Sequence, residues 1–186
     1  QVLATAEGLG TVQLAANGIT PWTPETPALY TLRVTVTANG TADTTEQRIG
    51  IRTIQVSSKT GLLLNGQPRT MKGGCIHHDL GILGAADHAA AERRRIRLMK
   101  ESGFDAIRAA HNPFGPAFLD ACDELGMLVV EEAFDEWVMG RTSFGLHVTF
   151  EQCWEKDLED MITRDYNHPC IVMWSTGNEV EERDGT

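Results

Sequence analysis

The chain has 186 residues, 41% of them hydrophobic and 23% charged, which suits a soluble globular fold of one or two domains with enough apolar residues for a core. Its formal net charge is −10, and the longest basic run is Arg93-Arg94-Arg95. Such an acidic balance repels phosphate backbones, so nucleic acid is not expected as a partner and a neutral small molecule fits better. No apolar run approaches the ~20 residues of a membrane span, so no membrane is expected as a partner either.

The first residues, QVLATAEGLG, hold no initiator methionine, basic region or apolar stretch, and read as part of an internal piece of a longer chain. From there to about Ile54 the pattern is that of β structure. TPWTPETP carries three prolines, as a leading loop or sheet edge would. ALYTLRVTVTA alternates Tyr30, Leu32, Val34 and Val36 against Leu29, Thr31, Arg33 and Thr35, the period of a half-buried strand. Asn39-Gly40 supplies a turn, and TEQRIGIRTIQV reads as the return strand. The segment is expected to be the later part of an antiparallel sandwich.

From about Gly61 strands alternate with helices. RTMKGGCIH predicts a strand near Met71 to His77. Residues 87–102 predict a helix with Ile96 and Met99 on one face, closed by Gly103. FDAIRAAH is a second strand. Pro116 suits a first helical turn, and Phe118, Leu119, Cys122 and Leu125 follow at helical spacing up to Gly126. MLVVEEAF is a third strand. A longer loop leads to a helix carrying Trp154, Leu158, Met161 and Ile162, stopped by Asn167-His168-Pro169, and CIVMWS is a fourth strand. The four cysteines, Cys75, Cys122, Cys153 and Cys170, form no C-x-x-C pair and lie in apolar stretches, so they are expected as reduced thiols in the core.

Apolar strands alternating with amphipathic helices mean a parallel sheet covered on its faces, either doubly wound or a (β/α)8 barrel. No G-x-G-x-x-G turn follows any strand, which weakens the nucleotide-binding version. Polar residues crowd the C-terminal end of each strand instead: His77-His78-Asp79, Arg108 to His111, Glu131-Glu132, Asn178-Glu179. That recurrence favours a barrel rim, and four units make half a barrel.

These groups suggest chemistry, each beside a plainer reading. Glu179 leaves a buried strand next to apolar walls that include Trp174, a setting that raises a carboxyl pKa and lets it donate a proton near neutrality. It could equally begin the acidic loop EVEERD. Asn178 could hold a substrate hydroxyl. His111 could donate to sugar hydroxyls or an oxyanion, or simply bond its own loop. Arg108 needs an acidic partner, Glu131 or Glu132, and a structural ion pair is as good a reading as a catalytic one. His77-His78-Asp79 tempts toward a metal, but adjacent strand residues point to opposite faces and no H-E-x-x-H spacing supports one. The carboxylates of EEAFDE suit Mg²⁺, Ca²⁺ or a sugar alike.

Together PWTPETPALYTL, IGIRTIQV, LLLNGQPRTMKGGCIHHD, FDAIRAAHNPFGPAFLDACDELGMLVVEEAFDEW and RDYNHPCIVMWSTGNE resemble glycoside hydrolase family 2, over about residues 21–179. The resemblance implies a multidomain β plus α/β fold: the C-terminal part of an Ig-like β-sandwich over residues 1–54, then the first four β/α units of a TIM barrel over residues 55–186. It implies a retaining hydrolase of terminal β-linked sugars, of β-galactosidase type first and β-glucuronidase type second, with a non-catalytic carbohydrate-binding or structural fragment as the remaining alternative. Glu179 matches the general acid/base and Asn178 the asparagine that holds the 2-hydroxyl. His111 matches the substrate-contacting histidine, Arg108 the arginine bracing the carboxylates, Glu132 the acid after strand three and His77 the histidine after strand one. The matching nucleophile lies beyond this chain, so the isolated 186 residues are expected to be inactive. Asp105 and Cys75 stand where asparagine is usual. Val138 replaces the histidine of Mg²⁺-dependent members, so neither a metal nor another cofactor is expected. The partner implied is a small carbohydrate; a homo-oligomeric full-length enzyme stays open, as does its bacterial compartment, cytoplasmic or periplasmic and secreted.

Overall fold

The structure is a computed structural model and describes residues 2–181. Residues 2–29 contain no strand, so β structure begins later than the sequence pattern predicts. The prolines of TPWTPETP cannot donate to a ladder, and the loop serves as a plug instead. Trp22 is fully buried; its backbone N–H donates to Ile51 O at 2.8 Å and its indole to Asp123 O at 2.9 Å. Strands β1 (Tyr30–Ala38) and β2 (Thr41–Ile49) form an antiparallel hairpin. Asn39 and Gly40 both take positive φ, 51° and 76°, the two-residue turn whose twist matches its strands.

The expected return strand is broken. It stops at Ile49 and resumes as β3 (Ile54–Ser57), which pairs with β4 (Gly61–Leu64) rather than with β1. The cause is local packing: a Cβ on Gly50 would stand 2.6 Å from Pro169 Cγ. Arg52, two residues on, donates to Pro169 O at 2.8 Å and Ile171 O at 2.5 Å. A second Asn-Gly turn, Asn65-Gly66, leads into β5 (Gln67–Pro68).

Strands β6 (Gly73–Ile76), β7 (Ala106–Ala109), β8 (Leu128–Glu132) and β9 (Ile171–Ser175) make one parallel sheet in the order β6-β7-β8-β9. Chain order and spatial order coincide without a reversal, as in a barrel and unlike a doubly wound sheet with its switch point. Helices α1 (Ala89–Glu101), α2 (Pro116–Leu125) and α3 (Phe150–Asp165) follow β6, β7 and β8. Helix α2 starts on Pro116 and ends at Gly126, whose φ of 74° is the left-handed cap that a side chain would resist. The core joins Ile96, Phe118, Leu119 and Cys122 of the helices to Ile107, Leu128 and Val129 of the sheet.

All four cysteines are free, but only Cys122 and Cys170 are core thiols. Cys75 is exposed and half-exposed Cys153 lies on α3, because an apolar neighbourhood in sequence does not decide which face a residue takes. At the start of β9 Asp123, His168 and Cys170 lie within 4.8 Å of one another. Asp123 accepts from Cys170 N at 2.9 Å and pairs with His168 Nδ1 at 2.6 Å. Burial pushes the Cys170 thiol well above the ordinary range, and its Sγ donates to Leu119 O. These bonds latch the Asn167-His168-Pro169 turn onto α2. No helix among the described residues is long and apolar enough to cross a membrane.

Candidate active site

Glu132 ends β8 fully buried, and three side chains converge on its carboxylate. Arg108 donates from Nε at 3.0 Å and from Nη2 at 2.7 Å, His111 Nδ1 lies at 2.9 Å, and Ser175 Oγ donates at 2.7 Å. A buried carboxylate is tolerable only with such company. Burial works against the Arg108 charge, and the bonds to Glu132 and Cys75, together with the charges of those groups, more than restore it. The same guanidinium donates from Nη2 to Asn178 Oδ1 at 2.8 Å and from Nη1 to Cys75 Sγ at 3.5 Å. Arg108, His111, Glu132 and Asn178, drawn from three strand ends, therefore form one network. With Nδ1 committed to Glu132, His111 keeps Nε2 for another partner.

His77 stands at the margin of this network, its ring edge-on to His111 with centroids 5.0 Å apart. Arg95 of α1 fixes the turn that carries it, donating to His77 O at 3.1 Å and Asp79 O at 3.2 Å. His78 takes the opposite face, as strand alternation predicts, and stacks on Phe114 at 4.0 Å. Burial and the nearby Arg95 charge push His78 below the usual histidine range, so the two histidines share no site.

Adjacent Glu131 also faces away from Glu132. It is fully buried toward the helices and accepts from Phe114 N at 2.8 Å, while its Oε2 has no partner. Burial raises its pKa to about 8, with Asp165 raising it further against Phe114 N–H, Arg164 and His168.

Beyond β8 the loop of residues 133–149 folds over the rim. Glu136, 4% exposed, is its anchor. It accepts from Arg141 N at 2.9 Å and His147 N at 3.3 Å, and its Oε1 lies 2.9 Å from His147 Nδ1. The Arg141 backbone bond, then His147, hold its pKa down at about 2. Two glycines permit this clasp: a Cβ on Gly140 would lie 1.9 Å from His147 Nδ1, and one on Gly145 1.8 Å from Glu136 Oε1. Arg141 then reaches back over the site. It donates to Asp135 Oδ1 at 2.6 Å and to Glu179 Oε2 at 2.7 Å. Asn178 Nδ2 donates to the same Asp135 oxygen at 3.0 Å. A cleft of about 270 Å³ opens beside Asp135, Glu136, Arg141 and Leu146.

Among the described residues nothing forms the apolar enclosure expected around Glu179: its side chain is 75% exposed and held by an ion pair with Arg141. Trp174, the wall expected from its place in the sequence, is itself 37% exposed. Glu179 thus joins the network through Arg141, Asp135 and Asn178. Ser175 and Arg141 are members that sequence reasoning missed, and Asp135 entered it only as one of the carboxylates of EEAFDE. Nothing in GRTSFG marks an arginine that pairs across 38 positions of chain. Asp105 lies at the opposite end of β7, where it accepts from Lys72 N at 2.6 Å and Arg69 Nη2 at 3.0 Å.

Residues 54–185 match the TIM barrel domain of glycosyl hydrolases family 2, and residues 2–52 match glycosyl hydrolases family 2. A β-galactosidase of Bacteroides ovatus, BoGH2A, is 42% identical over 181 residues, 97% of this chain and 21% of that protein. A putative β-glucuronidase of Formosa agariphila is 36% identical over 170 residues, 91% of this chain and 16% of that protein. Among solved structures, a glycosyl hydrolase family 2 member from Bacteroides cellulosilyticus is similar with a TM-score of 0.88 at 43% identity, over 90% of this chain and 22% of that one. The β-glucuronidase of Parabacteroides merdae gives a TM-score of 0.77 at 30% identity, over 92% and 21%. The chain spans about a fifth of the length of these relatives.

Proposed function

The chain belongs to glycoside hydrolase family 2, and from that premise we propose that it carries the acid/base side of a retaining β-glycosidase site, acting on terminal β-galactosides. The observation that carries this reading is the bonded chain from His111 and Glu132 through Arg108 to Asn178, which seats the residue before Glu179 at the rim of the sheet. In this reading Glu179 protonates the glycosidic oxygen as the bond to the anomeric carbon breaks, and the leaving alcohol departs. A second carboxylate, ~5–5.5 Å away, attacks that carbon to form a glycosyl-enzyme; Glu179 then takes a proton from a water whose oxygen bonds the anomeric carbon as the second carboxylate leaves it. Asn178 holds a sugar hydroxyl with the amide valence its two partners leave free. His111 offers Nε2, Arg108 and Glu132 fix both, and His77 lines the edge.

The nucleophile is assigned to none of Glu131, Glu132 and Glu136: the first faces the helices, and the other two have their oxygens occupied. Glu136, bonded to Arg141 N–H and to His147, and Val138 in place of a histidine fit no Mg²⁺ ion, so no step is routed through one. We also divide the chain near residue 54, where the two family matches meet, and read the β1–β2 hairpin as part of an Ig-like sandwich because Val34 and Val36 alternate on its open face.

The β-galactoside reading is supported by the 42% identity with a β-galactosidase; the relative named as a putative β-glucuronidase makes β-glucuronides the second reading. The test is hydrolysis of p-nitrophenyl β-galactoside and β-glucuronide by the full gene product carrying these residues. The expected result is turnover of the galactoside, unaffected by a chelator, with Glu179→Gln lowering kcat by roughly 10²–10⁴-fold. A Glu179→Gln enzyme as fast as wild type overturns the assignment, and turnover of neither sugar favours a carbohydrate-binding role.

A further inference from the structure

We propose that Arg141 is a positioning residue for Glu179: its guanidinium, presented by the Glu136–His147 clasp, fixes the carboxylate in the rotamer that delivers the proton. The inference rests on the acid/base reading of Glu179 and deepens it.

Among the described residues, Arg141 is the side chain that holds the Glu179 carboxylate, which is otherwise an exposed group on a long, freely rotating stem. Ordering such a side chain has an entropic cost that grows with its rotatable bonds, so an unheld glutamate spends little time in any one rotamer. Arg141 removes that freedom with a planar fork. One arm goes to Glu179 Oε2 at 2.7 Å and the other to Asp135, at 2.6 Å to Oδ1 and 2.9 Å to the backbone O. Asp135 in turn accepts from Asn178 Nδ2, so the arginine is registered against the residue directly before the acid. The fork needs a fixed origin, and the loop supplies one. The Arg141 backbone N–H is held by Glu136, Glu136 by His147, and Gly140 and Gly145 leave the room that this packing requires. A lysine, with a single point of charge, could hold one carboxylate but could not set the angle between two. The guanidinium also faces the negative charge that forms on Glu179 as its proton leaves, where a fixed donor contributes most.

Loss of a proton donor's placement is felt in proportion to how much the leaving group needs the proton. This gives a readout that a merely structural role would not move. In the full gene product, kcat/KM, which reports bond cleavage up to the glycosyl-enzyme, is measured for methyl β-galactoside and for 2,4-dinitrophenyl β-galactoside. Arg141→Met is expected to lower kcat/KM by about 10²-fold for the methyl glycoside, the scale of a small misplacement. The dinitrophenyl glycoside, whose leaving group needs no protonation, should change by no more than a few-fold. Arg141→Lys should recover part of the methyl-glycoside rate. Equal losses on both substrates at an unchanged melting temperature, or no loss on either, overturn the inference. If Glu179→Gln shows the leaving-group pattern and Arg141→Met does not, the inference fails alone while the acid/base reading stands. If Glu179→Gln itself lacks that pattern, the acid/base reading fails and takes the inference with it.

Discussion

Glu131 and Glu132 are neighbours of identical chemistry on β8, and the pleat sends them to opposite faces with opposite consequences. Glu132 has three bonded partners, Arg108, His111 and Ser175; Glu131 has one, from Phe114 N, and a pKa raised to about 8 by burial. The folded chain therefore keeps on Glu131 a proton that the unfolded chain releases near pH 4.5. Between pH 4.5 and about 8 the native state binds more protons at this residue, so its contribution to stability falls as pH rises and stays low above that window. Glu131→Gln keeps an acceptor for Phe114 N–H and removes the titration. The melting temperature of the wild type should fall from pH 5 to pH 8 more steeply than that of the variant; parallel curves would refute the assignment. The sequence makes it plain that one of the two glutamates turns inward. Which one does so depends on how β8 packs against the helices behind it, which has no local signature.

At the scale of elements, much was legible because it rests on local chemistry. The Asn-Gly turns, Pro116 at a helix start, Gly126 at its end and four apolar strands in alternation with helices all follow from backbone preference and periodicity. The break in the return strand was not, because its cause is Pro169, more than a hundred residues away. The same limit applies to the rim loop, where Arg141 and His147 gain their roles only once Glu136 is buried between them. Close contact between elements gives a further prediction. A Cβ at Gly73 would lie 2.0 Å from Ala106 O in the neighbouring strand. Gly73→Ala must push β6 from β7 and is expected to destabilise the protein by about 1–3 kcal/mol, the usual range for overpacking. A urea midpoint equal to that of the wild type would contradict it.

In the whole molecule, the leading β segment and the barrel meet through the ion pairs Arg48–Glu124 and Arg69–Glu25, a bond from Asn167 Nδ2 to Gln47 Oε1, and a set of side-chain donors that reach backbone acceptors. Arg52 is half-buried and its charge is disfavoured there by burial, yet it is kept because Pro169 O and Ile171 O accept from it. Arg52→Met leaves two carbonyls unpaired, at a cost of about 1–3 kcal/mol each. The variant is expected to be cut faster by subtilisin between residues 50 and 53, and an unchanged cleavage pattern would show that the junction is held elsewhere.

Three more contacts follow the same pattern. Lys100 donates to Pro24 O, Trp22 to Asp123 O, and Asn65 to Trp22 O. A carbonyl oxygen is common to every residue, so the receiving side of this seam does not depend on which side chains stand there. Substitutions can accumulate on that side without loosening these four contacts, provided the backbone keeps its path. At these points the constraint falls on the four donors, and the two segments can drift apart in sequence while remaining fastened there.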